Sequence, residues 1–144
     1  QPTPVQHWSK RSAFDLNKSL WAGWMVQWQD FSFYFAGDTG YSDDFKEVSF
    51  RLDNPDLAAI PICAYEPREF MQSAHITPEE AVVIFEDLNA KYAIGIHWDT
   101  FKLTVEPMNE PPIRLGRELE RLGIDKRRFR TLQHGEVWPQ VFDG

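Results

Sequence analysis

Three side chains are of the types that hold divalent cations, and two of them, Asp38 and His97, stand where strands would deliver them, while His7 lies close to the chain start. Asp38 lies in Gly37-Asp38-Thr39-Gly40, His97 in Ile96-His97-Trp98-Asp99 and His7 in Gln6-His7-Trp8-Ser9. Imidazole and carboxylate groups converging from separate elements can coordinate a metal. A strand end presents such a group well, because the strand fixes its backbone while the following loop bends freely. Each residue also has a plainer reading. Asp38 suits a turn or a helix cap, His97 suits a hydrogen bond in the core beside Trp98, and His7 suits an exposed chain start. Spacing alone leaves both readings open.

The elements that must position these groups alternate between strand and helix. Leu20 to Trp28, the polar turn Gln29-Asp30 and Phe31 to Phe35 read as a β-hairpin, with Phe31, Phe33 and Phe35 on one face. Its second strand runs into the Gly37–Tyr41 loop. Phe45, Val48 and Leu52 recur at helical spacing over 42–52, and Asp53-Asn54-Pro55-Asp56 ends that helix. Leu57 to Ile62 is a short unbroken apolar run, as expected of a buried strand. After an irregular stretch from Cys63 to Ile76, Thr77-Pro78-Glu79-Glu80 reads as a capping box with proline in the first turn. Ala81, Ile84, Phe85 and Leu88 give that helix its buried stripe. Tyr92 to Ile96 is a second buried strand and delivers His97. Pro111-Pro112 opens a last helix through Leu115, Leu119 and Leu122, Gly123 stops it, and a closing strand covers 129–132. The class is α/β.

Composition narrows the function. A chain of 144 residues allows one ordinary domain, and 42% hydrophobic with 26% charged residues supports a packed core. The net charge of −7 argues against nucleic acid as a partner. Lys126-Arg127-Arg128 with Arg130 reads instead as a cap on a helix-to-strand loop. One cysteine, Cys63, excludes an internal disulfide framework and reads as a small buried residue. No apolar run approaches the roughly 20 residues of a membrane-spanning helix.

Six ordered blocks carry a resemblance: Gln6-His7-Trp8-Ser9-Lys10-Arg11, Leu20-Trp21-Ala22-Gly23-Trp24, Phe35-Ala36-Gly37-Asp38-Thr39-Gly40-Tyr41, Ala64-Tyr65-Glu66-Pro67-Arg68, His75-Ile76-Thr77-Pro78-Glu79-Glu80-Ala81-Val82 and Ile96-His97-Trp98-Asp99-Thr100-Phe101. Over about residues 4–136 the chain resembles the C-terminal half of N-acyl-phosphatidylethanolamine-hydrolysing phospholipase D and its bacterial relatives, in the metallo-β-lactamase superfamily. The resemblance implies half of an αββα sandwich with two zinc ions at the sheet edge. It places His7 in the first metal's ligand set, Asp38 as the bridging carboxylate and His97 on the second metal. His75 matches a position near the active site, where it contacts phosphate or moves a proton; the alternative is a loop histidine bonded to backbone. Tyr65, Glu66 and Arg68 either shape the substrate entrance or form a loop buttressed by an Arg–Glu pair. Tyr41 and Trp98 read as wall and core residues, and His134 as a structural one.

The superfamily's HxHxDH signature is not in this sequence, and Ala22 and Asp99 stand where glycine is expected. Residues 1–144 are therefore expected to be the C-terminal portion of a single domain whose N-terminal half carries the other ligands. An uncovered sheet face and edge should result, and this chain alone should be inactive. The expected activity is zinc-dependent hydrolysis of a phospholipid or other small phosphodiester by a metal-activated water. A cytoplasmic location follows, membrane-peripheral if the substrate is a lipid, with a homo-oligomer left open. Two alternatives stand: a metal-free half-domain acting as a binding or assembly module, and a lactonase-type hydrolase of the same fold.

Overall fold

A computed structural model describes residues 1–138. Six strands form one sheet in chain order: β1 (Pro2–Thr3), β2 (Gly23–Gln27), β3 (Ser32–Phe35), β4 (Leu57–Pro61), β5 (Tyr92–Ile96) and β6 (Phe129–Thr131). β1, β2 and β3 pair antiparallel, whereas β3 to β6 are mutually parallel. The parallel strands are joined by α1 (Asp44–Leu52), by α2 (Arg68–Met71) with α3 (Pro78–Asp87), and by α4 (Glu110–Leu122). Each crossover advances to the next strand in the same direction. Right-handed crossovers of that kind place all their helices on one face of the sheet.

That face is the core. Met25, Tyr34, Ala58, Ile60, Ala93 and Phe129 project from the strands into it and meet Phe45 and Val48 of α1, Ile84 and Phe85 of α3, and Leu115 and Leu119 of α4. Gly95 has no side chain because a Cβ there would stand 2.9 Å from Ile62 Cδ1. The opposite face lacks a covering layer among the described residues. Trp24 pairs with Phe35 and Val26 with Phe33 across the hairpin, and Trp24, Val26 and Phe35 remain exposed. The phenylalanine row of the hairpin thus lies on the open face, and the polar-tipped Tyr34 is the one fully buried. Tyr34 manages this through a hydrogen bond, 3.1 Å, with the buried Thr3 hydroxyl.

The helix ends follow the sequence chemistry. Thr77 Oγ1 accepts the Glu80 N–H at 3.2 Å and Glu80 Oε2 accepts the Thr77 N–H at 2.8 Å, the reciprocal capping box. Gly123 ends α4 at φ 69°, a conformation glycine adopts without Cβ strain. Two elements went unread in the sequence, the two-residue β1 and the single-turn α2 inside the stretch 63–76. The basic cluster does lie in the α4–β6 connection, where Arg127 pairs with Asp125 and Arg128 donates to the carbonyls of Lys91 and Ala90. No helix of the described residues is long and apolar enough to cross a membrane.

Candidate metal centre

The parallel strands all end at one edge of the sheet, and the candidate residues leave from that edge. β3 is followed by Ala36 and Gly37 (φ 67°), then by Asp38. β5 is followed by His97, itself at φ 65°, a left-handed conformation that histidine tolerates better than most residues but rarely without a structural reason. Asp99 also has positive φ, 56°, which accounts for the expectation of glycine at that position.

His7 reaches the same edge through a local clamp. The Gln6 carbonyl accepts the Gly40 N–H at 2.7 Å, and the Gln6 N–H donates to Thr39 Oγ1 at 3.0 Å. Thr39 is fully buried and its hydroxyl donates onward to the Gly40 carbonyl at 2.7 Å. The residues flanking Asp38 thereby hold the residue preceding His7. Gly40 performs a second task. A Cβ there would lie 2.9 Å from the backbone of Gln72 and Ser73, so only glycine lets the turn that carries His75 come this close.

These contacts bring four groups together. His7 Nε2 lies 3.8 Å from Asp38 Oδ2, and His97 Nε2 lies 3.4 Å from Asp38 Oδ1. Each carboxylate oxygen of Asp38 therefore faces a different imidazole. The His75 ring stands edge-on to His7, centroids 5.3 Å apart, and near-parallel to His97 at 5.7 Å. Ligand atoms of His7, Asp38 and His75 all lie within 4.8 Å of one another. Sequence reasoning put His75 beside the metals rather than on one; the geometry makes it a third ligand-competent group beside His7 and Asp38.

The polar atoms here are poorly satisfied by protein alone. His7 Nδ1 lies 2.9 Å from the Trp8 carbonyl, which can only accept, so Nδ1 carries the proton. In the neutral ring Nε2 is then a bare lone pair, buried and without a hydrogen-bond partner among the described residues. It faces the Asp38 carboxylate, also an acceptor. Two acceptors turned toward one another call for a cation between them, and a backbone-anchored Nδ1–H is the usual way of orienting a metal-binding imidazole. His75 Nδ1 and His97 Nδ1 are likewise buried without partners among the described residues. Burial pushes the His75 imidazole down to about 4, with the neighbouring His7 and His97 acting in the same direction against the pull of Asp38. His75 is accordingly neutral near pH 7, the form that binds a metal or accepts a proton.

The surrounding loop is pinned by charged groups. Arg68 donates to both oxygens of Glu80 at 2.5 and 2.6 Å and to the His75 carbonyl at 2.7 Å. The buttressing Arg–Glu pair exists, but its acid is Glu80; Glu66 instead accepts the Arg68 backbone N–H at 3.0 Å. Glu106 escaped sequence reasoning altogether. It is only 5% exposed and accepts from the N–H groups of Tyr65 and Glu66 and from the Cys63 thiol. Burial would raise its carboxyl, but hydrogen bonds from Thr104, Tyr65 and Cys63 more than offset this and hold it below the usual glutamate range. Ala64, at φ 68°, lies between the residues Glu106 grips. A lone glutamate in Val105-Glu106-Pro107 was the only signal for this role. Cys63 is half-buried and its thiol is pushed up to about 11, chiefly by burial. Tyr41 donates to Asp87 at 2.8 Å, Trp98 packs against the core, and His134 sits 3.2 Å from the Thr100 hydroxyl.

Comparison with known proteins agrees with this architecture. A family model described as the beta-lactamase superfamily domain matches residues 1–98. An N-acyl-phosphatidylethanolamine-hydrolyzing phospholipase D 1 of Caenorhabditis elegans is 44% identical over 94% of this chain. The mitochondrial N-acyl-phosphatidylethanolamine-hydrolyzing phospholipase D of Saccharomyces cerevisiae is 40% identical over 78% of it. The chain spans 39% and 25% of the length of these two relatives. A metallo hydrolase from Ignicoccus hospitalis superposes over 94% of this chain and 49% of its own, with TM-score 0.67 at 23% identity, which shows a common fold. By the match over residues 1–98 and the relatives that extend it, the chain belongs to the metallo-β-lactamase superfamily and is related to the N-acyl-phosphatidylethanolamine-hydrolysing phospholipases D.

Proposed function

We propose that this chain forms the C-terminal portion of a single metal-dependent hydrolase domain that cleaves phosphodiesters in the manner of a phospholipase D, with a phospholipid as substrate class. The observation that carries this reading is the Asp38 carboxylate, which turns one oxygen toward His7 and the other toward His97. Such a carboxylate can serve two cations at once. His7, Asp38 and His97 are the proposed ligands, and zinc is the metal that imidazole-rich hydrolytic sites of this kind suit. When bound, the cations would acidify a water molecule and neutralise charge developing on the phosphoryl oxygens.

The chain's own residues do the remainder. The Trp8 carbonyl fixes the tautomer of His7, and the Gln6–Thr39–Gly40 clamp holds His7 against Asp38. Hydrolysis of a phosphodiester consumes a proton at the departing oxygen and releases one from water. Neutral His75 can accept the latter or donate its ring N–H to a phosphoryl oxygen. Arg68, through the His75 carbonyl, sets where that ring stands.

Three ligands divided between two cations leave most coordination positions to be filled from outside this chain. The open face bearing Trp24 and Phe35 supports the same view, since it offers a second sheet an apolar surface to pack on. The test is to supply the N-terminal half of a relative together with this chain, then measure zinc content and phosphodiester hydrolysis for the native sequence and Asp38→Ala. Both should be lost in the variant. Retention of metal and turnover by Asp38→Ala rejects the reading, and absence of metal from the native complex favours a metal-free binding module.

A further inference from the structure

The pairing of β4 with β5 ends where the Ile62 N–H donates to the Ile96 carbonyl at 3.1 Å. Beyond that bond the two strands release separate segments. One runs over 63–76 and carries His75 near its end; the other starts at His97 and runs to 109. The sheet no longer fixes one against the other. Among the described residues every hydrogen bond between the two segments ends on a single side chain, Glu106.

That contact asks for a carboxylate. Glu106 Oε1 accepts the Tyr65 N–H at 3.0 Å and Oε2 the Glu66 N–H at 3.3 Å, while the Cys63 thiol donates to Oε1 at 3.6 Å. Consecutive N–H groups turned to one side form a concavity for an anion. Ala64 beside them is held at φ 68°, a conformation that a Cβ disfavours. A carboxylate accepts at both oxygens, whereas an amide in its place would turn an NH2 group on one of the two N–H donors. Glu106 is 5% exposed, sealed by this chain's own residues whatever covers the open sheet face.

From this grip an unbroken line of bonds runs to His75. Glu106 holds the Glu66 N–H, and the Glu66 carboxylate accepts the Arg68 N–H at 3.0 Å. The Arg68 guanidinium then donates to the His75 carbonyl at 2.7 Å. Glu106 itself belongs to the segment that starts at His97, whose ring stands near-parallel to that of His75. One side chain thus ties the backbone behind the first imidazole to the backbone behind the second.

We propose that Glu106 is a positioning residue for His75: its carboxylate, through Glu66 and Arg68, sets where the His75 ring stands against His97. The consequence for turnover rests on the hydrolase reading above, in which His75 moves a proton or contacts a phosphoryl oxygen. The placing of the ring does not.

The first test involves no turnover. The histidine ring protons of the metal-free chain are followed by NMR at about pH 8, above the ordinary histidine value of about 6.5. Glu106→Gln should move the His75 resonances toward those of an unstacked imidazole. Asp56→Asn, which disturbs the acceptor of the Ser32 N–H at the far end of the strands, should lower Tm and leave those resonances in place. Glu106→Gln with Ala64→Gly, which removes the Cβ from the left-handed residue, gives the same comparison if the single variant unfolds. Unmoved His75 resonances overturn the proposal, as does an equal movement in Asp56→Asn. The second test supplies zinc and the N-terminal half of a relative. Glu106→Gln should lower kcat about a hundredfold with KM and zinc content kept, the scale of a misplaced reacting group. Added to His75→Ala, it should cost no more than about twofold, because it acts through the ring already removed. A full further loss in that background overturns the proposal. Absence of turnover by the native complex tells against the hydrolase reading alone, and the ring resonances then decide the placing of His75.

Discussion

At the carboxyl ends of β3, β4 and β5 the chain leaves the sheet through Asp38, Cys63-Ala64 and His97. At the opposite edge it turns through Asp30, Asp53-Asn54, Asn89 and Asp125 to Arg128. Backbone demands are alike at the two edges, for both contain residues of positive φ. The far edge meets them with Asp53, Asn89 and Gly123, short polar residues or glycine, whereas the site edge uses Ala64 and His97 as well as Gly37 and Asp99. Polar groups at the far edge are paired: Asp56 accepts the Ser32 N–H at 2.7 Å and binds Lys91 at 2.8 Å. At the site edge three imidazole nitrogens lie buried without partners among the described residues. One edge is arranged for stability and the other gives some of it up. That is the expected signature of a site whose missing partners are ligands.

The contrast can be broken most decisively at its two aspartates. Asp38→Ala should cut phosphodiester hydrolysis by the reconstituted domain about a thousandfold or more, since the metal contribution it removes is several kcal/mol. Its effect on thermal unfolding of the metal-free chain should be small. Asp56→Ala should do the reverse, lowering stability by about 1–3 kcal/mol because the Ser32 N–H and Lys91 lose their acceptor, with zinc content unchanged. Calorimetry and metal analysis of both variants check this, and equal behaviour would erase the distinction between the edges.

Glycine provides the next comparison. Gly40→Ala forces a methyl against the Ser73 backbone and should cost about 1–3 kcal/mol while weakening zinc binding, because the His75 turn must retreat. Gly123→Ala meets open space and suffers only its positive φ, so about 1 kcal/mol of stability should go and metal affinity should stay.

Arginine separates the edges more gently. Arg68→Ala removes charge-assisted bonds to Glu80 and the His75 carbonyl and should lower stability by about 1.5–3 kcal/mol. Arg127→Ala, at the far edge, removes an exposed pair with Asp125 and should leave Tm unmoved.

The smallest expected effect is in acid. Glu106 titrates below the usual glutamate value in the folded chain, so its stabilisation is complete above that value and disappears as pH falls through the lower folded one. The Tm difference between the native sequence and Glu106→Gln should therefore be largest near neutrality and shrink on acidification. A difference independent of pH would remove the carboxylate from the account of the 63–66 loop.

Much of this was written locally. The capping box at Thr77–Glu80, the glycine at 123 and the apolar runs of β4 and β5 are short-range signals, and the elements formed where those signals stood. α2 left no comparable trace because one helical turn cannot show a periodicity. Glu106 was illegible for a different reason: its partners lie some forty residues earlier, and no spacing rule connects a glutamate to backbone N–H groups at that distance. The hairpin shows a third kind of limit. Alternation in Phe31 to Phe35 announces two faces but does not say which the helices will cover, and they covered the one carrying Tyr34.

By itself, then, the chain's order of residues determined the alternation of strands and helices, the places where they stop, and the presence of imidazole and carboxylate groups at strand ends. Periodicity, capping and turn propensity act over a few residues and can be read there. Only the tertiary structure decided that His7, Asp38, His75 and His97 share one space and that Asp38 faces two imidazoles at once. That outcome depends on parallel crossovers ending at a common edge, on the clamp from Gln6 to Gly40, and on a backbone approach that tolerates no Cβ at position 40. All three are products of packing between segments far apart in the chain, and burial of the helix-covered face is the force that sets them.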